Sequence, residues 1–504
     1  MQVIIGVDIG TTSAKAIAFT PAGQVLCSHY QEYPIYRPEP EYSEQDPGEV
    51  LAAVSHTLSQ TIAGINQEHL LGISFSCAMH GLLAVDPVGQ PITRCLIWAD
   101  NRSQAQAEVL QPSGAGQDIY RHTGTPIHPM SPLCKLLWMR ENQPDLLRQA
   151  HKFLSIKEYI FYRFFGKYLI DYSLASATGL FDIRQLRWYP PALELAGIRP
   201  EQLSSPVSTL HQEHQLDPAY ARQLGLRRPV PFIIGASDGC LANLGAGATQ
   251  PGLAALTIGT SGAIRIMAAQ AAGENQQQLF SYILSPDRYV VGGPVNNGGL
   301  ILRWFRDAFG AGLQEQAQAQ GIDAYDLLIA QAAAVPAGSQ GLIFLPYLQG
   351  ERAPIWDAAA RGVFFGIGIH HSQAHFCRAV LEGILFNIYQ IGRALEAASG
   401  PIREIHAGGG FARSRFWVQL LADIFQKKVY ITETIESSAW GAALLGLEAL
   451  QWQAGPGEAL PGKNQQEFVP DPEKHAVYQQ NFSIFEKLYP LLKAPMAQMQ
   501  DWQG

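Results

Sequence analysis

A chain of 504 residues, 47% hydrophobic and only 15% charged, exceeds what one core usually supports, so it predicts two globular domains and excludes a disordered protein. A formal net charge of -8 excludes a broad nucleic-acid or anionic-membrane surface, because phosphates demand an excess of Lys and Arg. The six cysteines form no Cys-x-x-Cys pair, the start lacks a basic leader, and no run approaches the roughly 20 apolar residues of a membrane span, so a reducing, cytoplasmic setting is expected.

Residues 3–7 form an apolar run ending at Asp8-Ile9-Gly10-Thr11-Thr12-Ser13, and apolar residues return at 16–19, which predicts strand, glycine turn and strand. There a carboxylate, Asp8, stands beside backbone N–H groups and two hydroxyls able to face a phosphate and its Mg2+; an ordinary hairpin is the alternative. Residues 70–75 predict another strand. Met79, His80 and Gly81, then Trp98, Asp100, Asn101 and Arg102, then the stretch 124–135, set polar groups and an aromatic among apolar runs. A sugar site needs this mixture, with ring faces over C–H surfaces and Asp, Asn, His and Arg on hydroxyls, although a lone His or Trp is more often a core residue.

Residues 232–235 predict a strand, and Asp238 follows it in Gly235-Ala236-Ser237-Asp238-Gly239-Cys240, where catalytic groups project from α/β sheets. A carboxylate there can accept the proton of a hydroxyl attacking a phosphoryl group; a turn or capping Asp is the alternative. The glycine-rich stretch 245–252 places a domain boundary near residue 246. Beyond it Ile258-Gly259-Thr260 lines up with Ile9-Gly10-Thr11, as in a duplicated domain, and Gly259-Thr260-Ser261-Gly262 strengthens the phosphate reading. Helices are predicted over 376–398 and 415–425. Between them Gly408-Gly409-Gly410-Phe411-Ala412-Arg413-Ser414 follows a predicted strand at 402–405, and its glycines let backbone approach a flat ligand; a flexible strand–helix connection is the alternative. Another small-residue helix opens at Glu436. Strands alternating with helices predict an α/β fold, and the absence of G-x-x-x-x-G-K-[ST] excludes a P-loop NTPase.

These motifs together resemble the FGGY carbohydrate kinases over residues 3–450. Met130-Ser131-Pro132-Leu133-Cys134-Lys135-Leu136-Leu137-Trp138-Met139-Arg140-Glu141-Asn142 is similar to the first family signature, and residues 362–382, with Gly366, Ile367, His375, Phe376 and Glu382, to the second. The resemblance implies an α/β protein of two ribonuclease H-like, actin-type ATPase domains, 1–246 and 247–455, with a catalytic cleft between them and a 456–504 tail that could pack on the body. It implies ATP and Mg2+, with Asp238 as catalytic base and sugar contact. Thr11, Thr12, Ser13 and Lys15 fall in the first phosphate loop, and Gly259, Thr260 and Ser261 in the second. Gly298, Gly409, Gly410 and Ser414 fall around the nucleotide, with Glu436 and Gly441 as further candidates. Asp8 and Asp238 fall about the metal, largely through water, and Met79, His80, Gly81, Trp98, Asp100 and Arg102 about the sugar.

Within the family, Ala78 before Met79-His80-Gly81, Ala99 in Trp98-Ala99-Asp100, and Thr125-Pro126-Ile127-His128-Pro129-Met130 are most similar to the gluconokinase branch, where xylulokinases usually read G-Q-M-H-G and W-N-D. The implied reaction is phosphorylation of a terminal hydroxyl, D-gluconate to 6-phosphogluconate, with Arg102 or Lys135 available for the substrate carboxylate. D-xylulose or another polyol is the alternative acceptor, and a non-catalytic actin-fold ATP-binding protein is the alternative from another class. No nucleic-acid or membrane partner is expected, and a homodimer is left open.

Overall fold

The computed structural model describes residues 2–273, 279–431, 436–453 and 466–503, with side chains as far as residue 499. Contacts gather the chain into two compact units: Met1–Gly247 with Ala268–Val290 and Glu436–Gly462, and Ala248–Met267 with Val291–Ile435 and Lys463–Gly504. The first division falls inside the expected glycine-rich stretch. The units interleave, however, whereas the sequence reading took 247–455 as one stretch.

In the first unit, β1 (Val3–Ile9), β2 (Ser13–Phe19), β3 (Val25–Glu32), β4 (Leu70–Cys77) and β5 (Phe232–Ser237) form a sheet in the order β5-β4-β1-β2-β3, with the short strand Gln212–Glu213 at the β5 edge. β1, β4 and β5 run parallel, while β2 pairs antiparallel with β1 and β3. The uninterrupted apolar run of β1 is what a central strand covered on both faces requires, and Ile4, Ile5, Val7 and Ile9 are fully buried.

One cover is made by the helices Asp238–Gly245 and Ser437–Ala449, and glycine lets them close in. A Cβ at Gly6 would meet the Ala439 carbonyl oxygen at 2.0 Å, one at Gly245 that of Ser437 at 2.0 Å, and one at Gly441 that of Leu241 at 1.9 Å. These close contacts explain why 436–462 joins the first unit, and they make Gly441 a packing glycine. The first signature forms the helix Pro132–Asn142, started by a Ser131 side chain that accepts from Cys134 N and by Pro132 in the first turn. Its Leu133, Leu136 and Leu137 enter a core with Leu82, Ile119, Phe153 and Leu180.

In the second unit, β6 (Leu253–Ile258), β7 (Gly262–Ala268), β8 (Arg288–Val295), β9 (Glu404–Gly408), β10 (Lys428–Ile431) and β11 (Gln466–Phe468) take the order β11-β10-β9-β6-β7-β8. β6 pairs antiparallel with β7 and parallel with β9, β9 parallel with β10, and β10 antiparallel with β11. The first sheet repeats this order, edge strand included, so the duplication suggested by one Ile-Gly-Thr match is carried by topology and gives the expected pair of ribonuclease H-like sheets.

The second signature opens the helix Gln373–Ser399. There Arg378 pairs with Glu382 at 2.6 Å, both buried, and Glu382 accepts from Gly338 N and Ser339 Oγ at 3.0 Å each. Arg378 also donates to the Tyr478 hydroxyl of the last helix, Pro472–Gln503, whose Tyr478, Phe482 and Phe485 pack on Phe386. From Pro472 onward the described part of the tail is helical, and it packs within the second unit. Among the described residues no helix is long and apolar enough to cross a membrane.

Replacing Gly441 with Ala sets a methyl group where the Leu241 carbonyl stands, and overpacking of this kind costs about 1–3 kcal/mol or more. Urea unfolding of the variant should show that loss at unchanged slope; an unchanged midpoint would mean the two helices part freely.

Candidate active site

β1, β4 and β5 end side by side, pairing Asp8 with Ser76 and Ser237 with Cys77, and Asp238 follows as the first residue of the next helix. Ligands of open α/β sheets bind beyond the carboxyl ends of such strands. Ser76 Oγ donates to Asp8 Oδ1 at 2.8 Å. Burial pushes the Asp8 carboxyl above the usual carboxylate range, against the opposing pull of Ser76 and Lys15. The helix cap is Ser237, whose hydroxyl accepts from Cys240 N at 3.4 Å. Asp238 is therefore not the capping residue; it stands half-buried in the first turn, with Oδ1 accepting from Gly239 N at 2.7 Å.

The turn after β1 is closed by Gly10 N donating to Ser13 O at 2.9 Å and is braced from three directions. Tyr33 OH donates to Gly10 O at 2.6 Å, Gln45 Nε2 to Thr11 O at 2.7 Å, and Trp98 Nε1 to Thr11 Oγ1 at 2.9 Å. Trp98 thereby ties the expected sugar segment to the expected phosphate turn. Thr12 is exposed and Ser13 partly so. Lys15, across the hairpin from Asp8, places Nζ 2.9 Å from both carboxylate oxygens of Glu436.

The sugar candidates divide into exposed and internally engaged groups. Met79, Gly81 and Trp98 are partly exposed. His80 adopts a left-handed backbone, φ 66°, which is uncommon for a residue with a Cβ and tends to mark functional sites. Its Nδ1 lies 2.8 Å from the Ala177 carbonyl and so carries the proton, leaving Nε2 to accept from Tyr282 OH at 3.1 Å.

Lys135 is wholly buried, its ammonium donating to His80 O at 2.6 Å, Ile97 O at 2.8 Å and Leu96 O at 3.1 Å. Arg102 lies 3.6 Å from the centroid of the Tyr42 ring, with Nε on Asp100 at 2.8 Å and Nη2 on Asp100 at 2.7 Å and Glu44 at 2.6 Å. Asp100, wholly buried, also accepts from Ser43 N. Arg102 and Lys135, the two alternatives for a substrate carboxylate, are thus both engaged inside the fold, because a buried charge is tolerated only when its own surroundings satisfy it.

In the second unit a cavity of about 690 Å³, a size that suits a nucleotide-sized ligand, lies against the turn between β6 and β7. Gly259, Thr260, Gly410 and Ser414 line it, together with Ile258, Leu302, Ile329 and Phe411. A Cβ at Gly259 or Gly410 would meet nothing within 4 Å, so their bare backbone is open to a ligand. Gly298 and Gly409 serve differently: a Cβ at Gly298 would meet Ser261 O at 2.6 Å, and one at Gly409, φ 95°, would meet Ile258 O at 2.5 Å. The turn itself is fixed by Gly259 N to Ser261 O at 2.8 Å, Gly299 N to Gly259 O at 2.7 Å and Leu300 N to Thr260 O at 3.1 Å. Ser414 caps the helix Arg415–Phe425 by accepting from Trp417 N.

Among the described residues no group of three or more His, Cys, Asp or Glu side chains is arranged to hold a metal ion. Mg2+ usually takes one or two carboxylates and leaves its other positions to phosphate and water, and a single Asp8 carboxylate oriented by Ser76 fits that mode. Sequence reasoning missed Ser76, Tyr33, Gln45 and Tyr282, and Leu302 and Ile329 of the cavity. Ser76 was the one within reach, since it directly follows the predicted strand 70–75.

Substituting Lys135 with Met should remove the ammonium donor shared by three carbonyls, of which Leu96 O and Ile97 O still accept from Leu82 N and Asp100 N, and so cost roughly 1–3 kcal/mol in all and lower the melting temperature. Burial brings Lys135 down to about 8 from 10.5. Between those values the unfolded chain holds the extra proton, so this group makes stability rise with pH from 8 to 10.5. Denaturation of both proteins across that range should show the gap between them widening with pH; a constant gap would contradict the assignment.

Residues 3–245 match the FGGY family of carbohydrate kinases, N-terminal domain, and residues 254–450 match the C-terminal domain. The gluconokinase of Bacillus subtilis (strain 168) is 45% identical over 447 residues, covering 88% of this chain and 87% of that one. Among solved structures, a gluconate kinase from Lactobacillus acidophilus matches with TM-score 0.92 at 33% identity over 99% of each chain. A ligand-bound xylulose kinase from the same organism matches with the same TM-score and identity, over 99% of this chain and 100% of that one. With both domains matched in order and the sheet repeated in each unit, this chain belongs to the FGGY family of carbohydrate kinases, ATP-dependent enzymes that phosphorylate sugars.

Proposed function

We propose that the chain transfers the γ-phosphoryl group of ATP to the terminal hydroxyl of D-gluconate, with Asp238 as the general base. The observation that carries the reading is the carboxylate of Asp238 at the carboxyl end of β5, on the same sheet edge as Asp8 and free of a capping role. Asp238 accepts the hydroxyl proton as the oxygen attacks phosphorus. Backbone N–H groups and hydroxyls of Thr11, Thr12 and Ser13, and of Gly259, Thr260 and Ser261, hold phosphate oxygens, with Lys15 nearby. Asp8 orients Mg2+, which when bound offsets negative charge on the phosphates. The adenosine part takes the cavity lined by Gly259, Gly410 and Ser414, shaped from below by Gly298 and Gly409.

In this reading Met79, Gly81 and Trp98 face the sugar, while His80, Asp100 and Arg102 hold the segments that carry them. Gluconate is favoured by the 45% identical gluconokinase and by Ala78, Ala99 and residues 125–130. D-Xylulose is the second reading. It is favoured by the equal structural match to a xylulose kinase and by the engagement of Arg102 and Lys135, which leaves the acid group of gluconate to other donors.

Asp238→Asn should retain both substrates' binding yet lose about 10²- to 10⁴-fold in kcat, as expected for a lost general base. Near-normal turnover would remove Asp238 from that role. Parallel assays with gluconate, D-xylulose, ribulose and glycerol decide the acceptor, and a clearly higher kcat/KM for xylulose would overturn the gluconate reading.

A further inference from the structure

The strand that delivers Asp238 is irregular just before its end. The β5 pairing with β4 shifts register between Ile233 and Ala236, and Gly235, at φ 72°, sits where a Cβ would meet Phe75 O at 1.8 Å. A bulge of this kind re-aims the side chains that follow it, and it does so at the expense of ladder hydrogen bonds. The two residues between this bulge and Asp238 are held by side chains from elsewhere in the same unit.

Lys157, on the helix Ile156–Phe165, donates from Nζ to Ala236 O at 3.2 Å and pairs with Asp171 Oδ2 at 2.7 Å. The Lys157 and Asp171 side chains are 1% and 0% exposed. Asp171 Oδ1 accepts from Leu174 N at 3.0 Å and so starts the short helix Tyr172–Ser176, which carries Ser173. Ser173 Oγ accepts from Ser237 N at 3.1 Å and donates to Ser237 Oγ at 2.8 Å, the same hydroxyl that caps the Asp238 helix. The Ala236 carbonyl, the Ser237 amide and the Ser237 hydroxyl are therefore all tied to one buried unit.

We infer that Lys157, Asp171 and Ser173 are positioning residues for Asp238, fixing the bulged end of β5 so that its carboxylate meets the substrate hydroxyl; this rests on the reading of Asp238 as the base. A buried ion pair can often be exchanged for apolar side chains of similar size with little loss of stability, so what this one supplies is direction. A misplacement of about 1 Å at a reacting group is enough to cost about 10²-fold in rate.

The test compares Ser173→Ala, the double variant Lys157→Met/Asp171→Leu and Asp238→Asn with the wild-type chain, reading melting temperature, KM for ATP and sugar, kcat, and the acid limb of the kcat–pH profile. The expected result for Ser173→Ala and the double variant is a folded protein with a lowered melting temperature, because buried backbone groups lose partners, together with near-wild-type KM, kcat lowered about 10- to 100-fold, and a displaced acid limb. Wild-type kcat and acid limb in a folded double variant, or in Ser173→Ala, would overturn the inference; should the double variant fail to fold, Ser173→Ala decides alone. Normal turnover in Asp238→Asn would instead refute the base assignment, and a nearly inactive Asp238→Asn beside a fully active Ser173→Ala would refute the positioning role alone.

Discussion

The parallel pairing of β1 with β4 and of β4 with β5 decides where the chemistry of the first unit can stand. It brings Asp8, Ser76 and Asp238 from positions up to 230 residues apart onto one edge of the sheet, with Asp8 facing Ser76 in register. Because strand side chains alternate faces, a slip of one residue would turn Asp8 to the opposite face and bring an apolar neighbour to the edge. The buried run of β1 opposes such a slip, since it would place polar atoms in the apolar interior. Core and site are thus specified by the same register.

Close backbone approach is the second constraint. Gly6, Gly245 and Gly441 let the helices Asp238–Gly245 and Ser437–Ala449 seat against the sheet and each other, and Gly298 and Gly409 do the same beneath the second turn. Glycine is needed at these places because a carbonyl occupies the position of the missing Cβ. Where glycine instead opens onto a cavity, at Gly259 and Gly410, the same absence of a side chain leaves room for a ligand.

Charges near the sugar segments follow a different logic from the one their side chains suggest in isolation. Lys135 spends three donors on the carbonyls of His80, Leu96 and Ile97, and Arg102 spends its fork on Asp100 and Glu44. A desolvated cation must be satisfied at once by its surroundings, so it becomes a fastener of loops. The first signature is then a device for joining the segment around Met79 to the one carrying Trp98, and the second, through Arg378 and Glu382, joins a long helix to the 338–339 turn and to the last helix.

Several features were legible from sequence because local rules govern them. The strand–turn–strand at residues 3–19, the carboxylate just past β5, the duplicated Ile-Gly-Thr turn and the helix 415–425 all follow from apolar periodicity and glycine punctuation, which act within a few residues. Other features depend on partners that periodicity does not encode. Lys15 meets Glu436 across 421 positions of sequence, Lys135 meets carbonyls 38 to 55 positions away, and the bulge at Gly235 is set by its fit against Phe75. Residue type and spacing thus determined which groups were capable of phosphoryl-transfer chemistry. Tertiary packing decided which of them remained available for it and which were spent on the fold, because only packing fixes which polar groups a buried charge must satisfy.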